Sequence, residues 1–271
     1  MTKYSISVLM SVYNKDEPEF FKMALQSLCN QTEKALEVII IFDGFLDKEF
    51  YKIVSDFENE LNIITVQNSE NMGLAKSLNK GLQYVNGEVI ARMDADDIST
   101  KDRFEKQIVM FQDHEVDVVG GYVQEFNGNI ENNNTIRKVP ANTNDIVKFS
   151  KYRSPVNHPT AMIRTETLRN VGGYPERFNK LEDYALWVSI LNEEYVICNI
   201  PEVLVYMRIS DATFKRRGGF KQAKAFFSLR NRMLNTGYIN KFELVIGNVI
   251  SIPVSLMPSI LRGSIYKFLR K

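Results

Sequence analysis

Over its first 120 residues this chain alternates short β-rich apolar runs with stretches whose apolar residues recur at three and four spacing. That alternation restricts the possible folds more than any other feature. Ile6–Val12, Val38–Phe42, Ile63–Val66, Val89–Met93 and Val116–Val119 read as strands, and Phe20–Asn30, Lys48–Glu60, Leu74–Val85 and Arg103–Phe111 as the helices between them. Such a pattern predicts a Rossmann-like α/β fold, a mostly parallel central sheet with helices on both faces. Ligands of these sheets sit at the carboxyl ends of the strands. Three early strands end in polar residues there, Ser11-Val12-Tyr13-Asn14, Asp43-Gly44 and Asp94-Ala95-Asp96-Asp97, so three loops are expected to face one crevice. Further on, Asn127–Asn134 reads as a hairpin turn or loose loop, and Asp145–Lys151, Thr165–Val171 and Asp183–Asn192 read as helices.

Composition narrows the class. At 271 residues, 44% hydrophobic and 25% charged, the chain fits one large α/β domain or one domain plus an appendage. Two cysteines, Cys29 and Cys198, are too sparse for a disulfide framework and point to a reducing compartment. The opening MTKYSISVLMSVYN is interrupted by Ser7, Ser11, Tyr13 and Asn14 and reads as a buried strand, not a signal peptide.

The net charge of +1 conceals an asymmetry. Residues 212–271 carry twelve Lys/Arg against one acid, Glu243, whereas residues 1–211 hold 22 bases and 32 acids. The expected division is a catalytic body at 1–211, with a nucleotide-binding half at 1–120 and an acceptor-binding half at 121–211, followed by a basic, apolar helical tail at 212–271. A basic tail on an acidic body points to an anionic surface. Leu244–Leu261 is uncharged but interrupted by Gly247, Asn248, Pro253 and Pro258, with Arg262, Lys267, Arg270 and Lys271 following. A spanning helix needs about 20 predominantly apolar residues. The tail is therefore read as an interfacial membrane-associating segment, with a spanning helix and a soluble packing element as the alternatives.

In VIARMDADDIS a β-branched strand runs into carboxylates, and Asp94 and Asp96, two apart in extended backbone, face the same side. Hard oxygen donors with open positions suit Mg²⁺ or Mn²⁺ shared with a diphosphate. Spacing alone leaves a second reading open, a polar turn starting the helix after Asp102. The chain lacks both common glycine-rich phosphate loops, so neutralisation by metal is the remaining route. Asp43 is placed to hydrogen-bond a base or ribose, or serves simply as a turn residue before Gly44. Glu182 and Asp183 precede an apolar helical run containing Trp187, the sole tryptophan. They are either helix-start acids or a general base with its neighbour.

Taken together, SVLMSVYN, IFDG, NMGLAKSLNKGL, GEVIARMDADD, NHPTAMIR, VGGYPERF and LEDYALW resemble, in order and spacing, the family 2 glycosyltransferases with a GT-A fold over about residues 5–210. The resemblance implies Ser11, Val12, Tyr13 and Asp43 around uridine and Asn71, Gly73 and Lys76 in a loop over the nucleotide. It also implies Asp94 and Ala95 at ribose or diphosphate and Asp96 as main ligand of Mn²⁺ or Mg²⁺. Asp183 becomes the catalytic base and Glu182 its neighbour at a sugar. His158, Trp187 and Arg208 are possible acceptor or phosphate contacts, and Arg92 and Arg103 structural ion-pair partners of the acidic loop.

Two departures stand out. Phe42 replaces a first Asp, and Ser210 stands where many members place a histidine near the metal. The basic run Lys215-Arg216-Arg217-Gly218-Gly219 is either a loop over the donor or a membrane-facing charge run. The implied reaction is inverting transfer of one hexose, glucose or galactose, from a UDP-sugar to a polyprenyl-diphosphate-linked acceptor, GlcNAc-diphospho-undecaprenol, with a β-1,3 linkage. The expected setting is surface-polysaccharide synthesis at the cytoplasmic face of a bacterial inner membrane. A processive synthase would need a tryptophan beyond the base, and a nucleotidyltransferase a glycine-rich first loop. A non-catalytic membrane module would need neither Asp96 nor Asp183. Nucleic acid is not an expected partner, because interleaved exposed aromatics on a nucleic-acid fold are missing.

Overall fold

The computed structural model describes residues 4–112, 115–130, 135–178, 180–209 and 218–257. Strands β1 (Ile6–Val12), β2 (Glu37–Phe42), β3 (Ile63–Gln67) and β4 (Val89–Asp94) alternate with helices α1 (Pro18–Cys29), α2 (Lys48–Phe57) and α3 (Leu74–Leu82). Then follow β5 (Ile98–Ser99), α4 (Arg103–Met110), β6 (Val118–Phe126), β7 (Thr135–Arg137), α5 (Thr143–Ser150) and a 3₁₀ turn at His158–Thr160. The chain continues through β8 (Met162–Arg164), α6 (Thr165–Asn170), α7 (Glu182–Asn192), β9 (Ile197–Arg208), α8 (Phe220–Asn235) and α9 (Lys241–Leu256).

The expected α/β architecture is present. Among the described residues one nine-stranded sheet runs β3-β2-β1-β4-β8-β6-β9-β5, with β7 beside β6. β3, β2, β1 and β4 are mutually parallel, as is β6 with β9. The β4–β8, β6–β8, β6–β7 and β5–β9 pairings are antiparallel, which makes the second half of the sheet mixed.

Period-two alternation explains why both faces are covered. Val8, Met10, Val38, Ile40, Val89, Ala91 and Met93 join Phe21, Leu25, Phe50, Ile53 and Phe104 of α1, α2 and α4 in one buried cluster. Leu9, Ile39, Ile41 and Ile90 turn the other way and pack with Leu78, Ile146, Leu168, Leu186 and Trp187 of α3, α5, α6 and α7. A strand buried on both sides reads as a continuous apolar run, which is how Glu37–Phe42 reads.

Boundaries moved where tertiary contacts outweighed local pattern. β6 extends to Phe126, well past the expected Val119, because Gly120 and Gly121 mark close approach and not a strand end. A Cβ on Gly120 would lie 2.1 Å from Asn199 Oδ1, and one on Gly121 2.4 Å from Leu204 Cδ1. β9, twelve residues long, was absent from the strand reading, and its mixed burial hides the period.

The described part of the tail, residues 218–257, is mostly helical, as expected, but its last helix is not broken where the sequence pointed. α9 continues through Gly247, Asn248 and Pro253. Asn240 and Glu243 form a capping box at its start. Gly247 leaves room for the buried guanidinium of Arg230 on α8, whose Nε would lie 2.2 Å from a Cβ there. α8 shares a buried cluster with α7, in which Leu229 and Met233 of α8 and the following Ile239 join Tyr184, Ala185 and Val188 of α7 and the preceding Phe178 and Leu181. Among the described residues no helix is long and apolar enough to cross a membrane. Ser210, the 211/212 division, Lys215-Arg216-Arg217, Pro258 and the bases Arg262, Lys267, Arg270 and Lys271 lie outside the described residues.

Trp187 is fully buried in the apolar cluster that includes Leu9, Ile39, Ile41 and Ile90 of the sheet. Trp187→Ala is expected to cost about 3–5 kcal/mol, read as a lower midpoint in urea denaturation with little change in slope.

Candidate active site

The crevice expected at the carboxyl ends of the parallel strands exists, as a cleft of about 420 Å³. It is lined by Ser11, Tyr13, Asp16, Asp43, Asn71, Gly73, Leu74, Asp94, Ala95, Asp96, Asp97, Met207 and Arg208.

Asp43 follows β2 and organises one wall. Its carboxylate is buried and accepts hydrogen bonds from the backbone N–H of Met72 (2.7 Å) and Gly73 (3.0 Å) and from Asn68 Nδ2 (3.0 Å). Three donors on one carboxylate clip the loop before α3 against the end of β2, which sets Asn71 and Gly73 over the cleft. Gly73 has φ of 87°, a left-handed conformation that a side chain would strain. Lys76, in the first turn of α3, is exposed and lies outside the lining, and Val12 is buried with its carbonyl accepting from Asp43 N–H at 2.8 Å.

Opposite stands the acidic turn. Oxygens of Asp94, Asp96 and Asp97 all lie within 4.8 Å of one another. Asp97 was missed because the period-two argument sends it to the far side of a strand. β4 ends at Asp94, however, and the turn that follows brings Asp97 back. Arg208 at the end of β9 clamps this turn: its N–H donates to Asp97 Oδ1 (2.8 Å) and its Nε to the Asp96 carbonyl (3.1 Å). The guanidinium lies 3.7 Å from the Phe20 ring centroid and 4.5 Å from that of Phe126. Behind the turn, buried Arg92 pairs with Asp94.

Electrostatics make the cluster receptive to a cation. Burial, then the Asp94 charge, pushes the Asp96 carboxyl up to about 6. Burial, then Asp94 and Asp96, raises Asp97 well above the carboxylate range, and its Oδ2 is buried with no hydrogen-bond donor. An orphaned buried acceptor among crowded hard oxygens fits a divalent ion of the Mg²⁺ or Mn²⁺ kind.

Glu182 and Asp183 open α7, and neither lines this cleft. Burial, then the neighbouring Asp183, pushes Glu182 up to about 7, and its Oε2 has no donor. Arg92 connects the two acidic centres, since its charge acts on Asp94, Asp96 and Asp97 on one side and on Glu182 on the other. His158 and Trp187 sit in the core. His158 Nε2 lies 3.1 Å from Tyr174 Oη, and its ring meets those of Tyr174 and Trp187 edge to face at 5.5 and 6.1 Å. Burial, then Arg92, holds His158 far below its usual value, so it is neutral. Arg103 differs from expectation. It pairs with no carboxylate and donates to Gln107 Oε1 (2.9 Å) and the Arg92 carbonyl (2.9 Å), and burial, then Arg92, lowers it to about 9. Asp16, Leu74 and Met207 line the cleft without any signal in their own sequence context.

The raised Glu182 carboxyl carries a sign. Between its unfolded value near 4.5 and about 7 the folded state binds the extra proton, so this group's contribution to stability is present at low pH and is lost as pH rises through that window. Glu182→Gln is expected to raise the thermal midpoint at pH 8 while leaving it nearly unchanged at pH 4, measured by calorimetry without added metal.

Comparison with known proteins places this geometry in context. The family model described as glycosyl transferase family 2 matches residues 7–172. The UDP-Gal:alpha-D-GlcNAc-diphosphoundecaprenol beta-1,3-galactosyltransferase of Escherichia coli is 38% identical over 262 residues, 96% of this chain and 94% of that protein. The amylovoran biosynthesis glycosyltransferase AmsE of Erwinia amylovora is 35% identical over 237 residues, covering 86% and 88%. Among solved structures, a mannosyltransferase from Pyrobaculum calidifontis, in complex with GDP-Man and Mn2+, superposes with a TM-score of 0.69 at 17% identity. That match covers 93% of this chain and 73% of the other, and shows a shared fold.

Proposed function

This chain belongs to glycosyl transferase family 2, and on that premise we propose that it transfers one hexose, galactose or glucose, from its UDP-sugar to GlcNAc-diphospho-undecaprenol. The product is β-1,3-linked, made at the cytoplasmic face of a bacterial inner membrane during surface-polysaccharide synthesis. The observation that carries this reading is the juxtaposition of the Asp43-anchored loop and the Asp94–Asp97 turn across one cleft at the strand ends. The donor and acceptor follow the 38% identical Escherichia coli galactosyltransferase.

In this reading Ser11, Tyr13 and Asp43 hold the uridine, with Val12 shaping the strand end behind them. Asn71 and Gly73 cover the nucleotide, and Lys76 borders the same loop. Asp94 and Ala95 meet ribose and diphosphate. Asp94, Asp96 and Asp97 would hold Mn²⁺ or Mg²⁺, which when bound would neutralise charge developing on the departing diphosphate. Arg208, stacked between Phe20 and Phe126, adds a fixed positive charge on that side of the cleft. Stacking on two rings suits a planar guanidinium and not an ammonium, so Arg208→Lys is a disruptive change.

Asp183 takes the proton of the acceptor hydroxyl as its oxygen attacks the anomeric carbon. The bond from that carbon to the diphosphate breaks, UDP departs with the bonding pair, and the configuration inverts. Glu182, held partly protonated near neutral pH, can donate a hydrogen bond to a sugar hydroxyl beside the base.

The test is transfer from a panel of radiolabelled UDP-sugars to a synthetic GlcNAc-diphospho-lipid, with and without Mn²⁺. One hexose should transfer, and only with metal. Asp183→Asn is expected to lower kcat about 10²–10⁴-fold with donor binding retained. Asp96→Ala is expected to abolish metal-dependent UDP binding. Donor binding without any transfer would overturn the acceptor assignment, and loss of both in the wild type would overturn the whole reading.

A further inference from the structure

The two C-terminal helices turn an apolar surface outward. Seven of the fourteen exposed large hydrophobics among the described residues, Phe220, Phe227, Phe242, Val245, Val249, Ile250 and Leu256, lie on these two sixteen-residue helices. On α9, Phe242, Val245, Val249 and Leu256 follow i, i+3, i+7 and i+14 and form one stripe, with Phe242 72% and Val249 67% exposed. The opposite side of α9 buries Gly247 and Ser255. On α8, Phe220, Lys224 and Phe227 stand at i, i+4 and i+7 and are all exposed. A grouped apolar surface of this kind marks an interaction site, whereas single exposed residues such as Leu36 or Tyr84 need no explanation.

Charge identifies the occupant. The sole acid in residues 212–271, Glu243, is in an ion pair with Lys151 at 2.7 Å. Lys221, Lys224 and Lys241 are exposed beside the apolar residues. Among the described residues these lysines meet no ion-pair partner, so the surface is apolar with an uncompensated basic border. A second copy would oppose like charges on like. An anionic bilayer offers headgroups to the lysines and an acyl boundary to the stripe.

We propose that the outward side of α8 and α9 docks on an anionic lipid surface, with Phe242, Val245 and Val249 in the headgroup–acyl boundary and Lys221, Lys224 and Lys241 at the phosphates. This deepens the proposed transfer to a lipid-linked acceptor and rests on it for its purpose, since docking α8 holds α7, which starts at Glu182 and Asp183, at the membrane through their shared core.

The test uses the full chain and sucrose-loaded vesicles of phosphatidylglycerol and phosphatidylcholine, or of phosphatidylcholine alone. The wild type is expected to sediment with the anionic vesicles and to be released several-fold as salt rises. Val245→Asp with Val249→Asp, both exposed positions, is expected to lower vesicle partition at least tenfold with UDP binding unchanged. Lys221→Gln with Lys224→Gln is expected to weaken partition on anionic vesicles only. Wild type that ignores anionic vesicles, or aspartate variants that bind like wild type, would overturn the proposal, as would a wild-type dimer that the aspartate pair dissociates. Transfer to a water-soluble short-chain acceptor is measured alongside. If it fails while vesicle binding behaves as expected, the function proposed above falls and the lipid-docking face stands.

Discussion

One buried guanidinium makes the arrangement of this active site possible. Asp94, Asp96 and Asp97 hold oxygens within 4.8 Å of one another, and Glu182 and Asp183 add two more acids nearby. So many carboxylates out of water repel one another and lose hydration, a cost met only by opposite charge. Arg92 supplies it from β4, fully buried, paired with Asp94 and acting on both groups. It compensates only in part, so burial still pushes Asp96 up to about 6 and Glu182 up to about 7 and raises Asp97 well above the carboxylate range. The remaining deficit of positive charge suits a divalent ion of the Mg²⁺ or Mn²⁺ kind.

The scaffold around this charge is built for rigidity at the strand ends. Asp43 spends its carboxylate on the loop before α3, Arg208 spends its backbone N–H and Nε on the acidic turn, and both residues still face the cleft. Groups that are already held lose little entropy when a ligand arrives, which is the physical content of preorganisation. β9 matters for the same reason. It pairs with β5 just beyond the acidic turn, so the late part of the chain closes over a site that the early strands begin.

Much of this was legible in residue order. Strands and helices through Met110 fall close to their expected bounds because each buries one or two apolar faces with a clear period. The three polar strand ends indicated the cleft, and Ser11, Tyr13, Asp43, Asn71, Gly73, Asp94, Ala95, Asp96 and Arg208 all line it. The less legible residues were those whose surroundings come from elsewhere in the chain. Asp97 depends on where β4 stops. Met207 and Leu74 line the cleft through pairing and loop position, and Arg103 finds neutral acceptors where a carboxylate was expected. His158 and Trp187 look chemically distinctive in sequence but meet edge to face in the core.

By itself the sequence determined the alternating α/β order, the ordered family 2 blocks, the acidic turn and the charge asymmetry of the tail. All of these are written in local composition and spacing. Only tertiary structure decided that β6 runs through two glycines, that α9 persists through Gly247 and Pro253, and that α8 shares a core with the helix carrying Glu182 and Asp183. It also decided that the charge of one buried arginine reaches both acidic groups. Burial and electrostatic coupling are sums over neighbours that the chain brings together only by folding, so no reading of local pattern contains them.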